Sequence, residues 1–436
     1  MKRGTKIQVF LLCLVPFIMV LGNSMLIPVL PKIKRAVEIN QLQVGLMITA
    51  FSVPAGIVIP LAGILSDQVG RRKVMAPALI IYGLGGILAG IASMIFEKPF
   101  WGIMAGRIIQ GIGAGGTYQL AMAMAGDVFQ TQERVLALGL LEASNGLGKV
   151  VSPILGAGFA LISWYFPFYA YGFLSIPIGL AIFFLIKEKA EFKKQPFQNY
   201  IDAVKEIFKN KAAELLSSFF AGMAALFSLF GISSLYSDIL EKDFGIFGIK
   251  KGLIMAGPVF VMAALSFILG LLLEKTKNKG LKAFVVTGMF FILSGQGLFL
   301  LLKGMWLKFA SLVLLGAGVG LVMTPVNTLV TGSCSTKRRG IITCLYGSLR
   351  FFGVAIGPPL YGLSEKYGLI PIVSVMSLAP LTSLIISFVF ININKVLQQG
   401  KSQKASFAPT VEGSSNLKQP SHSSSKKSLT FKRKLR

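Results

Sequence analysis

Gly63-Ile-Leu-Ser-Asp67-Gln-Val-Gly70-Arg71-Arg72-Lys73 joins two apolar runs, each long enough to cross a membrane. Gly70 permits a tight turn. Asp67 puts a carboxylate beside the end of the first run, and three cations stand where the second begins. Cations gathered in a short loop between hydrophobic helices belong on the face of a bilayer that retains positive residues. The loop therefore sets the class of fold: helices that span a membrane, joined by short polar turns.

Composition agrees with that reading. Apolar residues make up 54% of the 436 and charged residues 14%, too few charges to cover a soluble surface of this size. The cysteines, Cys13, Cys334 and Cys344, have neither CxxC nor metal-ligand spacing, which argues against redox or metal chemistry. The single histidine, His422, lies in a polar tail. No imidazole relay is expected, so a proton carrier has to be a carboxylate.

Apolar stretches recur near residues 7–30, 43–65, 74–95, 100–125, 135–160 and 164–186, then 213–236, 252–273, 283–302, 308–332, 340–362 and 369–392. Each has roughly 20 or more residues, enough for about 30 Å of hydrocarbon. Twelve crossings leave both termini on one side. With the N-terminus inside, inner loops and tails hold 31 of the 44 Lys and Arg, outer loops 10, counting Lys308 at the outer edge of the tenth stretch, and spans 3. The net charge of +27 thus reports topology rather than nucleic-acid binding: a multi-pass protein of the cell membrane with both termini cytoplasmic. The first stretch follows Lys2, Arg3 and Lys6 but is too long for a cleaved leader, and reads as a retained span.

The halves repeat. Arg134, Gly148 and Pro153 recur 205 positions later as Arg339, Gly353 and Pro358, and Gly111, Gly113 and Gly115 recur as Gly316, Gly318 and Gly320. Gly63 and Asp67 have a fainter echo in Gly270 and Glu274, ahead of Lys275, Lys277 and Lys279. The expected fold is all-α and integral to the membrane, with twelve transmembrane helices in two pseudo-symmetric six-helix bundles. Residues 1–186 form the first bundle, 187–212 a cytoplasmic linker, 213–394 the second bundle, and 395–436 a disordered basic tail. Phe197, Ile201, Val204 and Phe208 give the linker an amphipathic helix that lies at the membrane surface.

On these residues the quoted loop resembles the cytoplasmic loop of a major facilitator superfamily transporter, and three further segments resemble its twelve-span drug:proton antiporters. They are Leu21-Gly22 through Pro28 and Pro31 at the end of the first span, Arg107-Ile-Ile-Gln110-Gly111-Ile-Gly113-Ala-Gly115 in the fourth, and Gly148-Lys-Val-Val-Ser152-Pro153-Ile-Leu-Gly156 in the fifth. Ser152 and Ala157 stand where the family's antiporter motif usually has glycine. The resemblance implies a small-molecule substrate exchanged with protons, no cofactor or metal, no nucleic acid, a surround of membrane lipid, and a monomer. It implicates Arg107 in proton coupling, and Gly63, Asp67, Gly70, Arg71 and Arg72 in a latch on one access state. Gly111, Gly113 and Gly116 also satisfy GxGxxG, but a dinucleotide fold needs a preceding strand, and here an apolar helix is expected to run through the motif.

Charges inside spans carry the chemistry, because burying one costs several kcal/mol unless it is paired or hydrated. Glu142, Asn145 and Lys149 share one face of the fifth span. Glu142 is the one acid well inside a span, and Lys149 lies two turns deeper, about 10 Å on. Arg350, near mid-depth in the eleventh, stands at the position the repeat pairs with Asn145. Asn23, Gln119 and Asn327 complete the candidates for the cavity wall. A dry cavity favours the protonated Glu142 and a wet or cationic one the ionised form, which would couple protons to transport; a permanently neutralised structural carboxylate is the other reading.

The sequence thus points to a proton-coupled multidrug-type exporter of amphipathic molecules working by alternating access. Two alternatives stay open: a dedicated exporter of an endogenous product such as a siderophore or lipid-like metabolite, favoured by Lys149 and Arg350, and a nontransporting membrane sensor on the same fold. No catalytic residues are expected.

Overall fold

The computed structural model describes residues 3–129, 131–186, 188, 197–275, 280–333, 339–393 and 396. The proposed tail at 395–436, apart from residue 396, and most of residues 187–196 lie outside them, as do Cys334 and His422. Described residues form helices and connecting turns, without strands.

The first bundle opens with α1 (Arg3–Ser24), a 3-10 turn (Ile27–Val29) and α2 (Leu30–Val37), followed by α3 (Gln41–Val69) and α4 (Arg71–Ile95). It continues with α5 (Phe100–Gly115), α6 (Tyr118–Val128), α7 (Thr131–Ile162) and α8 (Phe166–Leu185). The second bundle has α9 (Phe197–Lys242), α10 (Gly248–Lys275), α11 (Leu281–Leu301), α12 (Met305–Gly332), α13 (Arg339–Gly362), α14 (Ser364–Tyr367), α15 (Leu369–Met376) and α16 (Leu378–Phe390). Among the described residues eleven helical stretches are long and apolar enough to cross a membrane. Together α5 and α6 make the remaining crossing.

Three spans expected as single helices are broken, each for a local reason. The fourth stops at Gly116, where two adjacent glycines weaken the helix and the Thr117 hydroxyl turns back to the Ala114 carbonyl at 2.6 Å. No single helix therefore runs through the GxGxxG residues. The first span bends at Asn23–Ser24, and Pro28 and Pro31 begin the next turns, where a missing N–H costs nothing. The last breaks at Ser377, three residues before Pro380, which cannot donate to the carbonyl of Met376; the Ser377 hydroxyl donates to Gln296 Oε1 at 2.5 Å instead. Asn40 starts α3 with a reciprocal cap, accepting from the Gln43 N–H at 2.8 Å while Gln43 Oε1 accepts from the Asn40 N–H at 3.0 Å.

Two helix pairs join the bundles, α3 with α13 and α7 with α10. The first pair stays in contact along its length: a Cβ on Gly45 would lie 2.4 Å from the Pro359 nitrogen, Thr49 donates to the Ala355 carbonyl at 2.6 Å, and Ser348 donates to the Gly56 carbonyl at 2.5 Å. In the second pair the close approaches are at Gly252 against Pro153 and at Gly248 against Leu161. Apart from the Ser348–Gly56 bond at mid-span, these contacts lie toward the face bearing residues 31–40 and 363–368, here called distal. The opposite face, where residues 66–73 turn, is called basal.

The distal face is clasped by charge. Lys34 of α2 meets Glu365 of α14 at 2.5 Å, and Arg35 meets Glu241 of α9 at 2.7 Å. Glu365 also accepts from the Gln41 N–H at 2.8 Å. Behind it, Lys251 pairs with Glu241 at 3.0 Å, both nearly inaccessible. Cations of the first bundle are thus held by carboxylates of the second.

Candidate functional site

Between the bundles a cavity of about 860 Å³ opens at the basal face. Gly63 and Asp67 of α3, Tyr118 and Gln119 of α6, Glu142 of α7, Tyr200 of α9, Asn327 of α12, and Tyr346 and Arg350 of α13 are on its wall.

The break between α5 and α6 sets Tyr118 opposite α7, where its hydroxyl donates to Glu142 Oε1 at 2.6 Å. Arg350 comes from the other bundle. Its guanidinium stands 5.4 Å from the centre of the Tyr346 ring, and its Nε is buried without a hydrogen-bond partner. Tyr346 in turn packs on Phe219, ring centres 5.6 Å apart. The carboxylate and guanidinium thus belong to different bundles, and their separation changes whenever the bundles rock.

The helical face expected at 142, 145 and 149 divides in space. Glu142 lines the large cavity, Asn145 is buried, and Lys149 lines a small pocket of about 50 Å³ on the distal side, with Ser24, Phe230, Met255 and Met262. No ion pair joins Lys149 to Glu142. Gln119 and Asn327 lie on the cavity wall, whereas Asn23 does not; its amide donates to Ser52 at 2.8 Å.

Arg107 also lies away from the cavity, fully buried in the first bundle. It donates to the Gly22 carbonyl at 2.8 Å, Gln110 Oε1 at 2.6 Å, the Met47 carbonyl at 3.2 Å and Asn23 Oδ1, and its guanidinium stands 4.4 Å from the centre of the Phe51 ring. The guanidinium is solvated by neutral acceptors of α1, α3 and α5, an arrangement that holds three helices in register.

The residues of the antiporter-like motif line a seam. A Cβ on Gly156 would overlap the Met25 carbonyl oxygen and one on Gly148 would lie 3.1 Å from that of Phe17, so α7 presses on α1 and on the turn after it through these glycines. Ser152 turns its hydroxyl to the Gly148 carbonyl. A Cβ on Gly252 of α10 would stand 2.7 Å from the Pro153 carbonyl oxygen and 2.8 Å from the Ala157 methyl, so the motif also carries the contact between bundles.

At the cavity mouth Gly70 has φ +110°, a conformation suited to glycine. The turn lets Arg71 reach Asp67 at 3.0 Å and Asp127 at 2.6 Å. The backbone N–H groups of Arg71 and Arg72 donate to the Glu188 carboxylate at 2.8 and 3.1 Å, as expected of an anion at a helix N-terminus. Arg72 also donates to the Ile186 carbonyl at 3.0 Å. Tyr200 reaches Asp67 across the mouth, at 3.4 Å. Sequence reasoning missed Tyr118, Asp127, Glu188 and Tyr200. Asp127 and Glu188 each sit just past a span end, a placement that looks like ordinary loop charge.

The sequence profile described as Major Facilitator Superfamily matches residues 12–358. The chain is 37% identical over 350 residues to a bacillibactin exporter of Bacillus subtilis (strain 168), an alignment covering 80% of this chain and 87% of that one. It is 26% identical to the multidrug efflux protein YfmO of the same organism, covering 81% and 85%. Among solved structures, a bacterial homologue of the human lysosomal transporter Spinster, inward-facing and occupied, superimposes with a TM-score of 0.67 at 16% identity, covering 92% of this chain and 98% of that one. That last likeness speaks for the fold.

Proposed function

Because the chain belongs to the major facilitator superfamily, we propose that it is a secondary exporter which takes amphipathic molecules from the cytoplasm and exchanges them for protons at Glu142. The basal face is then cytoplasmic and the structure inward-facing. The observation that carries this reading is the Tyr118–Glu142 pair on the cavity wall, with Arg350 offered from the opposite bundle.

Exchange requires that proton and substrate exclude one another. In the inward-facing state Glu142 lines the open cavity, through which its proton leaves to the cytoplasm. A substrate head that donates a hydrogen bond to the ionised carboxylate, while an adjacent oxygen accepts from Arg350, fits only the deprotonated site. Rocking exposes that site outward, where loss of the substrate frees the carboxylate to take the next proton. Hydroxy acids and vicinal diols carry such a donor and acceptor pair.

A dedicated exporter of one endogenous product is the second reading, supported by the 37% identity to a bacillibactin exporter and by the cations Lys149 and Arg350. Proteoliposomes with an imposed pH gradient test the first: Glu142→Gln should abolish proton-driven accumulation while leaving substrate binding and downhill exchange. Wild-type accumulation in that variant excludes Glu142 as the carrier, and a wild-type cargo spectrum of a single compound favours the second reading.

A further inference from the structure

Lys149 stands between two spaces. On its distal side lies the small pocket, walled by Ser24 and Pro153 of the first bundle and by Phe230, Met255 and Met262 of the second. On its basal side it feels the charges of Glu142 and Arg350, both on the wall of the open cavity. It makes no hydrogen bond or ion pair among the described residues. An ammonium held this deep without a fixed partner is costly, and such a cost is retained where a ligand supplies the missing acceptor.

The pocket's walls come from both bundles, so the rocking that closes the basal cavity is the motion that widens this pocket. We propose that Lys149 is the anchor of the transported molecule, reached past Glu142 and Arg350 from the basal cavity in one access state and facing it from the widened pocket in the other. Its ligand is an amphipathic acid or oxygen-rich compound whose head accepts from the ammonium. This rests on the exporter reading and adds the substrate's chemical class. Three rotatable donors on a flexible stem suit a head that shifts during transit better than a rigid guanidinium would. Met255, Met262 and Phe230 offer the apolar flank a yielding wall. The head's donor still goes to ionised Glu142, so anchoring at Lys149 and proton exchange at Glu142 remain compatible.

The anchor is tested without knowing the natural cargo. Lys149→Cys is made in a chain whose Cys13, Cys334 and Cys344 are replaced by serine, and an impermeant methanethiosulfonate is applied to each side of oriented proteoliposomes. Labelling from both sides is expected; labelling from one side only overturns the anchor. Charge is tested with two xanthene dyes, anionic fluorescein and cationic rhodamine 123. Lys149→Gln should raise the KM for fluorescein at least about tenfold more than that for rhodamine 123, with Lys149→Arg restoring most of the fluorescein transport. Equal loss of both dyes, or no loss of fluorescein, overturns the substrate class. A wild-type protein that moves neither dye counts against the exporter reading for such cargo, while two-sided labelling still decides the anchor.

Discussion

Glu142 and its phenol partner illustrate what a single position can disclose. A carboxylate well inside an apolar helix is conspicuous in the sequence because its burial is expensive. Tyr118 is not, since an aromatic residue beside a glycine pair looks like one more apolar wall until the break at Gly116–Thr117 turns it toward α7. Tyr118→Phe removes a donor to a charged group, worth about 1.5–3 kcal/mol where shielded from water and less in a wet cavity. The variant should therefore lose proton-driven accumulation severalfold, because the carboxylate is no longer held in place on the cavity wall. Accumulation at the wild-type rate would show that the phenol does not position the acid. Asp67 belongs to the same scale. Its partner Arg71 is shared with Asp127, and its contact with the linker is the Tyr200 hydroxyl at 3.4 Å. Asp67→Asn should slow turnover severalfold while changing substrate affinity little, since a step between states is affected rather than the site. Equal rates for variant and wild type in a proteoliposome assay count against the latch.

Among elements, the distal clasp is the clearest departure from what the sequence discloses. Lys34 and Arg35 read as loop cations that merely follow a span, because helix α2 and the acids facing it are separated by hundreds of residues. Periodicity located the spans, yet their breaks depend on side chains such as Thr117 and Ser377, which find acceptors within their own turn or on a neighbour. The Lys34–Glu365 pair is partly exposed, so its worth is about 1 kcal/mol at most. Glu365→Gln should shift the balance between access states toward distal opening by up to about fivefold. Spin labels at positions 38 and 366 would register the longer distance. A distance distribution identical to that of wild type would assign the clasp no part in the balance.

At the scale of the molecule, the even count of spans and the cation bias were readable because hydrocarbon thickness and membrane sidedness act on every residue. The division of Glu142 and Lys149 between two spaces was not, since it depends on how the bundles lean together. Orientation is open to direct measurement. A cysteine at position 200, with the native cysteines replaced, should resist an impermeant reagent in intact cells, and reaction there would invert the topology. Removing residues 401–436 should leave turnover nearly intact; loss of transport with normal insertion would favour a signalling role. One feature of α9 bears on control from outside the cavity. Its surface segment and the first span of the second bundle are two helices that meet at a kink at Lys211, pinned where that ammonium donates to the Ser333 and Val396 carbonyls at 2.8 and 2.7 Å. Residues 197–210 thus form a handle bolted to the second bundle. About 20 Å long, it reaches to Tyr200 at the mouth. A nanobody gripping residues 197–210 would hold that handle still, stalling the pump from the membrane surface without touching its cargo.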